Sequence, residues 1–153
     1  ALVLRPKFLV LDEPTSALDV SVQARTLALL QELKESLALT YLFITHNLAV
    51  VDHIASHVAV MYLGKIMEIG SKDDVFLKPR HPYTISLLEA VPSVGKGKRI
   101  RKVPRGEIPS PLDPPKGCLF HTRCVEAKEI CAEKEPEETE ISPGHSCWCY
   151  FCN

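Results

Sequence analysis

The run Phe8-Leu9-Val10-Leu11-Asp12-Glu13 constrains this chain most, because four apolar residues in a row carry two adjacent carboxylates into the turn Pro14-Thr15-Ser16. Short, unbroken apolar runs belong to parallel strands covered on both faces. In open α/β sheets the ligand crevice lies just beyond the carboxyl ends of such strands, so Asp12 and Glu13 are predicted at a crevice edge. Adjacent carboxylates there suit the two tasks of phosphoryl transfer: one orients a magnesium ion, directly or through its water, and the other polarises an attacking water.

Alternating elements follow. Val20, Ala24, Leu27, Leu30, Leu33 and Leu37 stand at helical spacing and predict an amphipathic helix over 20–37. Thr40 to Ile44 is a β-rich run closing on Thr45-His46-Asn47, and a short helix is expected over 48–55. His57–Tyr62 and Lys65–Ile69 read as strands hinged at Gly64. Ser71 with Asp74 has the form of a helix N-cap box opening Lys72–Leu77, stopped before Pro79. Pro82 opens another helix, with Leu87, Leu88 and Val91 able to pack inward and Pro92 ending it. His53, His57 and His81 read as solvated or capping histidines, none with a carboxylate at an obvious spacing.

Composition sets outer bounds. The chain of 153 residues is long enough for one modest core, and with 18 Lys and Arg against 19 Asp and Glu its net charge is -1, which argues against a nucleic-acid partner. No apolar stretch approaches the ~20 residues that span a bilayer, and no signal peptide precedes the first strand. A cytoplasmic location is expected.

The block Phe8 to Asp19, in which Asp12-Glu13 is followed by Pro14-Thr15-Ser16-Ala17-Leu18-Asp19, resembles the Walker B motif and D-loop of ATP-binding-cassette (ABC) ATPases. Thr40 to Asn47 is similar to that family's next strand and H-loop. The resemblance implies an α/β fold, the C-terminal half of a P-loop (RecA-like) ATPase domain with parallel core strands. It further implies that Glu13 is the general base, that His46 hydrogen-bonds the γ-phosphate and the attacking water, that Asp12 serves Mg2+, and that Asp19 belongs to the loop touching a second ATPase subunit. The P-loop G-x-x-x-x-G-K-[ST], whose N–H groups and lysine cradle phosphates, does not occur in these residues, nor does Leu-Ser-Gly-Gly-Gln. Ala1 to Lys7 resembles the end of the helix that follows that signature. The expectation is the C-terminal part of a longer ATPase, which alone neither binds ATP tightly nor hydrolyses it.

A second resemblance narrows the branch. His81-Pro82-Tyr83-Thr84, Leu87-Leu88-Glu89-Ala90-Val91-Pro92 and Gly106-Glu107-Ile108-Pro109-Ser110-Pro111 resemble the C-terminal extension of oligopeptide and dipeptide ABC importers. The implied organisation is an ATPase part over 1–79, carrying Walker B, D-loop and H-loop, and an extension over 80–153. Within the extension, Lys96, Lys98, Arg99, Arg101, Lys102 and Arg105 and then several prolines mark a linker at about 93–116. Without interleaved aromatics for base stacking, that cluster reads as a solvated connector.

All six cysteines, Cys118, Cys124, Cys131, Cys147, Cys149 and Cys152, follow the linker. Such clustering in a chain without earlier cysteines favours metal over disulfides. The gaps are wider than the usual C-x2-4-C of structural zinc, which favours an iron-sulfur cluster and leaves zinc open. The importer tail is similar to Gly117-Cys118, Phe120, Arg123-Cys124, Cys131, Gly144-His145 and Cys149. The resemblance implies a 4Fe-4S cluster on Cys118, Cys124, Cys131 and Cys149. Cys147 and Cys152 depart from the pattern and leave the fourth ligand open, and His121 or His145 could substitute if the metal were zinc. From Gly117 onward the tail is acidic and short of apolar residues for a core of its own, so metal bonds are expected to supply folding free energy.

The function implied is that of the energy-coupling ATPase subunit of an importer for oligopeptides or dipeptides. Its partners would be a second ATPase subunit, identical or paralogous, membrane permease subunits and, indirectly, an extracytoplasmic binding protein, with the subunit peripheral at the cytoplasmic face of the membrane. Nickel and sugars are alternative cargoes in this branch. The other reading is a non-catalytic, metal-binding regulatory module.

Overall fold

In the computed structural model, residues 2–91 and 106–152 are described, so the basic cluster Lys96 to Arg105 lies outside the described residues. The architecture is mixed α/β, and it divides into two compact units, residues 1–55 and 56–153.

The first unit opens with a 3-10 turn, Leu2–Leu4, followed by β1 (Phe8–Asp12), α1 (Val20–Ser36), β2 (Thr40–Ile44) and α2 (Leu48–Ile54). β1 and β2 pair in parallel, with Phe8 opposite Thr40 and Asp12 opposite Ile44. One face of this pair packs: Tyr41 and Phe43 rest on a core of Leu27 from α1 and Val50 and Ile54 from α2. The Tyr41 hydroxyl donates to the Leu30 carbonyl at 3.0 Å, tying the strand to α1. The other face is open, with Phe8, Val10, Leu42 and Ile44 all exposed. The expectation of two covered faces is therefore met on one face only among the described residues. α1 stops one residue short of the predicted Leu37, which becomes its C-cap.

The second unit is built on an antiparallel hairpin, β3 (His57–Tyr62) and β4 (Lys65–Ser71). It is joined by Leu63-Gly64, both at positive φ, the requirement of a type I′ turn. β4 runs two residues past the predicted end because Gly70 and Ser71 still pair with Val58 and His57. Ser71 then caps α3 (Lys72–Leu77): its hydroxyl oxygen accepts from the Asp74 amide at 3.1 Å and its proton goes to Asp74 Oδ2 at 2.6 Å. α4 (Pro82–Ala90) follows, then α5 (Glu129–Glu133), β5 (Thr139–Ser142) and β6 (His145–Cys147). β6 pairs with β4, so the sheet runs β3-β4-β6-β5.

This topology corrects the reading of the tail as a segment without a core. Cys118, Leu119, Phe120 and Cys131 bury with Tyr62 and Met67 of the hairpin, and Tyr83 packs against them. Phe120 meets Tyr62 edge-on at 5.4 Å and Tyr83 at 5.2 Å between ring centroids, geometries favoured by the ring quadrupole. The tail borrows its apolar core from the hairpin.

Candidate functional site

In the first unit the carboxyl ends of the two parallel strands bring together Glu13 and His46. Glu13 sits at φ 45°, in the left-handed region, a conformation costing of order 1–3 kcal/mol and concentrated at functional sites. Its amide still donates to the Ile44 carbonyl at 2.9 Å, so it leaves β1 at a defined point beside β2. The Glu13 carboxylate accepts from the His46 ring Nδ1 at 2.7 Å and from the His46 amide at 3.2 Å. The imidazole is itself largely exposed, 81 % for its side chain. A neutral imidazole has one N–H, and in this pairing it is spent on Glu13. Nε2 is then an acceptor, and donation to a phosphate requires the imidazolium or a tautomer change that releases Glu13.

Neighbouring residues fix that loop. Ser16 donates from both amide and hydroxyl to the Glu13 carbonyl, at 3.3 and 2.9 Å. Thr15 is buried and its hydroxyl accepts from Gln23 Nε2 at 3.3 Å. Asp12 ends β1 at the same edge, opposite Ile44. Asp19 caps α1: its Oδ1 accepts from the Val22 amide at 2.9 Å, the Ser21 hydroxyl at 2.7 Å and the Ser21 amide at 3.1 Å. These bonds, the Val22 amide first, hold its carboxyl below the ordinary carboxylate range. The sequence reading gave Asp19 no cap role, although Asp immediately before a helical run is a strong start signal.

In the second unit the thiols converge without closing into a cage. Cys118 and Cys131 are core residues with Cys124 packed on them, and the Cys118 amide donates to the Cys131 carbonyl at 2.8 Å. Gly117 permits that approach, because a Cβ at this position, where φ is 70°, would collide with the Cys131 carbonyl oxygen. Burial pushes the Cys118 thiol up, and Cys131 and Cys124 add to it. Burial likewise pushes Cys149 up to about 12, with Cys152, Cys118 and Cys124 adding to the rise. Cys118, Cys124 and Cys131 thus share one packed cluster. Among the described residues, however, no group of three or more His, Cys, Asp or Glu stands as a metal site. The donor chemistry is nonetheless uniform, soft thiols drawn from three segments, as iron-sulfur clusters and zinc require. Cys149 also lines a surface cavity of about 270 Å³ with Lys134, Pro136, Glu137, Thr139 and Tyr150.

One cluster escaped sequence reasoning. Glu68 on β4 is fully buried, and its carboxylate accepts from the Arg80 amide at 2.8 Å, the His81 amide at 2.9 Å and His145 Nε2 at 2.9 Å. His145 is 2 % exposed, so it is part of the interior and is already committed to Glu68. His81 is a capping histidine as expected, its Nδ1 accepting from the Tyr83 amide at 3.0 Å, but it is buried and not solvated.

Burial lowers His81 from 6.5 to about 4, against the opposing pull of Glu68 and the Trp148 backbone. The unfolded chain therefore binds the extra proton first as pH falls. The stability held by neutral His81 is complete above about 6.5 and is lost as pH drops towards 4. Urea midpoints of the second unit should fall across that window, and His81→Asn, which keeps a capping acceptor, should flatten the fall. An equal slope in the variant would reject this assignment.

Comparison with known proteins places a family match inside the second unit. Residues 67–131 match the family described as "Oligopeptide/dipeptide transporter, C-terminal region". The chain is 53 % identical over 154 residues to the "Oligopeptide transport ATP-binding protein AppF" of Bacillus subtilis, covering 99 % of this chain and 47 % of the relative. It is 46 % identical over 150 residues to the "Dipeptide transport ATP-binding protein DppF" of Haemophilus influenzae, covering 97 % of this chain and 46 % of the relative. Over 67–131 the chain thus matches that family's model, and its similarity to ATP-binding proteins of such transporters extends through both units. It spans about half the length of the curated relatives it matches.

Proposed function

We propose that this chain is the C-terminal portion of the ATP-hydrolysing subunit of an oligopeptide or dipeptide ABC importer. The observation that carries the reading is the 2.7 Å contact between Glu13 and His46 at the carboxyl ends of paired parallel strands, where open α/β sheets bind their ligands. In this reading Glu13 takes the proton of the attacking water, and His46 orients Glu13 and meets the γ-phosphate once protonated. Asp12 serves Mg2+, which when bound neutralises charge on the phosphates. Asp19 anchors the loop that meets a second ATPase subunit. The open face of Phe8, Val10, Leu42 and Ile44 is the surface on which the remainder of a RecA-like domain packs.

The partners in this reading are the second ATPase subunit and the permease subunits, with the subunit peripheral at the cytoplasmic face. Among the described residues no helix is long and apolar enough to cross a membrane. The 153 residues alone should show no ATP turnover, whereas the full-length subunit assembled with its permease should hydrolyse ATP. Turnover by residues 1–153 alone, or none by the assembly, would overturn the reading.

The thiols that would hold a 4Fe-4S cluster, or zinc, are Cys118, Cys124, Cys131 and Cys149. When bound, the metal centre staples the three tail segments together. The packing of Cys118, Cys124 and Cys131 in one cluster supports this. Cys124→Ser in anaerobically purified full-length subunit should remove the visible absorbance and the stoichiometric iron and sulfide, and speed proteolysis after Gly117. Unchanged colour, metal content and proteolysis would reject the ligand set; zinc without sulfide in the wild type would replace the cluster by zinc.

A further inference from the structure

Once Cys118, Cys124, Cys131 and Cys149 are set aside, two thiols remain, Cys147 at the end of β6 and Cys152 beyond the Tyr150-Phe151 turn. Both are sealed from solvent, at 0 % and 2 % exposure, and both are present as thiols. The turn folds the chain back so that Cys152 Sγ lies 3.9 Å from the Cys147 carbonyl and donates to the Cys149 carbonyl at 2.9 Å. The Cys152 thiol thus packs against the backbone of Cys147. Cys149 is differently engaged: its sulfur accepts from the Phe151 amide at 3.4 Å and borders the 270 Å³ cavity.

We propose that Cys147 and Cys152 form a reversible disulfide, a modification site that closes the C-terminal turn in response to a low-molecular-weight disulfide of the glutathione type. The inference goes beyond the metal reading and uses only the two thiols that reading leaves over. Cys147 is held in the sheet, whereas Cys152 follows the Phe151 ring, which is 37 % exposed and covered by the Lys128 ammonium at 4.1 Å. Opening of this one turn delivers Cys152 to solvent without unfolding β6.

The Cys152 thiol loses its proton to water, and its thiolate attacks one sulfur of the oxidised reagent. A mixed disulfide forms and one reagent thiolate leaves. As the turn closes, Cys147 gives up its proton and attacks the Cys152 sulfur, releasing the second reagent thiolate. Two protein thiols lose two electrons, the reagent disulfide gains them, and the two protons end on the two released thiols.

The test is a titration of the full-length subunit with oxidised against reduced glutathione, followed by alkylation, trypsin and mass spectrometry of the peptide beginning at Glu135. The expected product is a peptide about 2 Da lighter than the reduced form, alkylated only at Cys149, with fragmentation placing the bond between Cys147 and Cys152. Cys149→Ser should keep the loss, Cys152→Ser should abolish it, and Cys147→Ser should stop at a glutathione adduct on Cys152. A Cys149–Cys152 bond, a loss that depends on Cys149, or three alkylated thiols at every ratio would overturn the proposal. Iron content of the same samples reports the metal reading separately, since the disulfide is expected whether or not the cluster is loaded.

Discussion

Replacing Glu68 by alanine is expected to destabilise the second unit by about 3–5 kcal/mol, the cost of breaking a buried, hydrogen-bonded pair from one side. The carboxylate is fully buried and is the acceptor for three donors, the Arg80 and His81 amides and His145 Nε2. Its removal strands all three without water. It also releases α4, whose first turn is set by His81, and β6, which carries His145. His145→Ala should cost a comparable amount by leaving a sealed carboxylate short of one of its three donors. The double variant should cost less than the sum, because each change removes the other's reason for loss. Trp148, the one tryptophan of these residues, follows β6 directly and reports its release by fluorescence during urea unfolding. A loss below about 0.5 kcal/mol in both single variants, the size of an ordinary surface change, would show that the pair is not what docks β6.

Glu13→Gln in the full-length subunit is expected to lower kcat for ATP by about 10²- to 10⁴-fold, the usual contribution of a positioned general base. The amide keeps a carbonyl oxygen to accept from the His46 amide and ring, so the loop should stay in place while the ability to take a proton is lost. ATP binding should therefore survive, giving a subunit that holds nucleotide without turning it over. His46→Ala should also slow turnover, and it frees the Glu13 carboxylate from its 2.7 Å partner. Retained turnover in Glu13→Gln would move the base elsewhere; lost nucleotide binding would instead make Glu13 a binding residue.

What could be read from the sequence was local. The Ser71 cap, the hairpin turn at Gly64 and the proline-started α4 each depend on a few adjacent residues whose chemistry fixes the backbone. Glu13 and His46 became candidates through the resemblance of their segments to Walker B and the H-loop, and the parallel pairing of β1 with β2 brings those strand ends together. The Glu68–His145 pair was not, since 77 residues separate the partners and neither belongs to a spaced pattern. For the same reason the tail's core was missed: Phe120 is one aromatic in a polar stretch until Tyr62 and Tyr83 surround it. Cys147 and Cys152 looked like surplus thiols near an end, and only the fold-back of the last turn makes them neighbours.

Because β6 is the strand that covers β4, the ribosome finishes the inner strand long before its cover exists. At ordinary translation speeds the wait between Glu68 and His145 is on the order of ten seconds. Throughout it the hairpin offers an unpaired ladder and an acidic side chain still in water. The residues from His145 onward thus decide whether that edge is capped by its own chain or recruits a neighbour, so nascent chains stalled or clipped before residue 145 are the ones expected to aggregate.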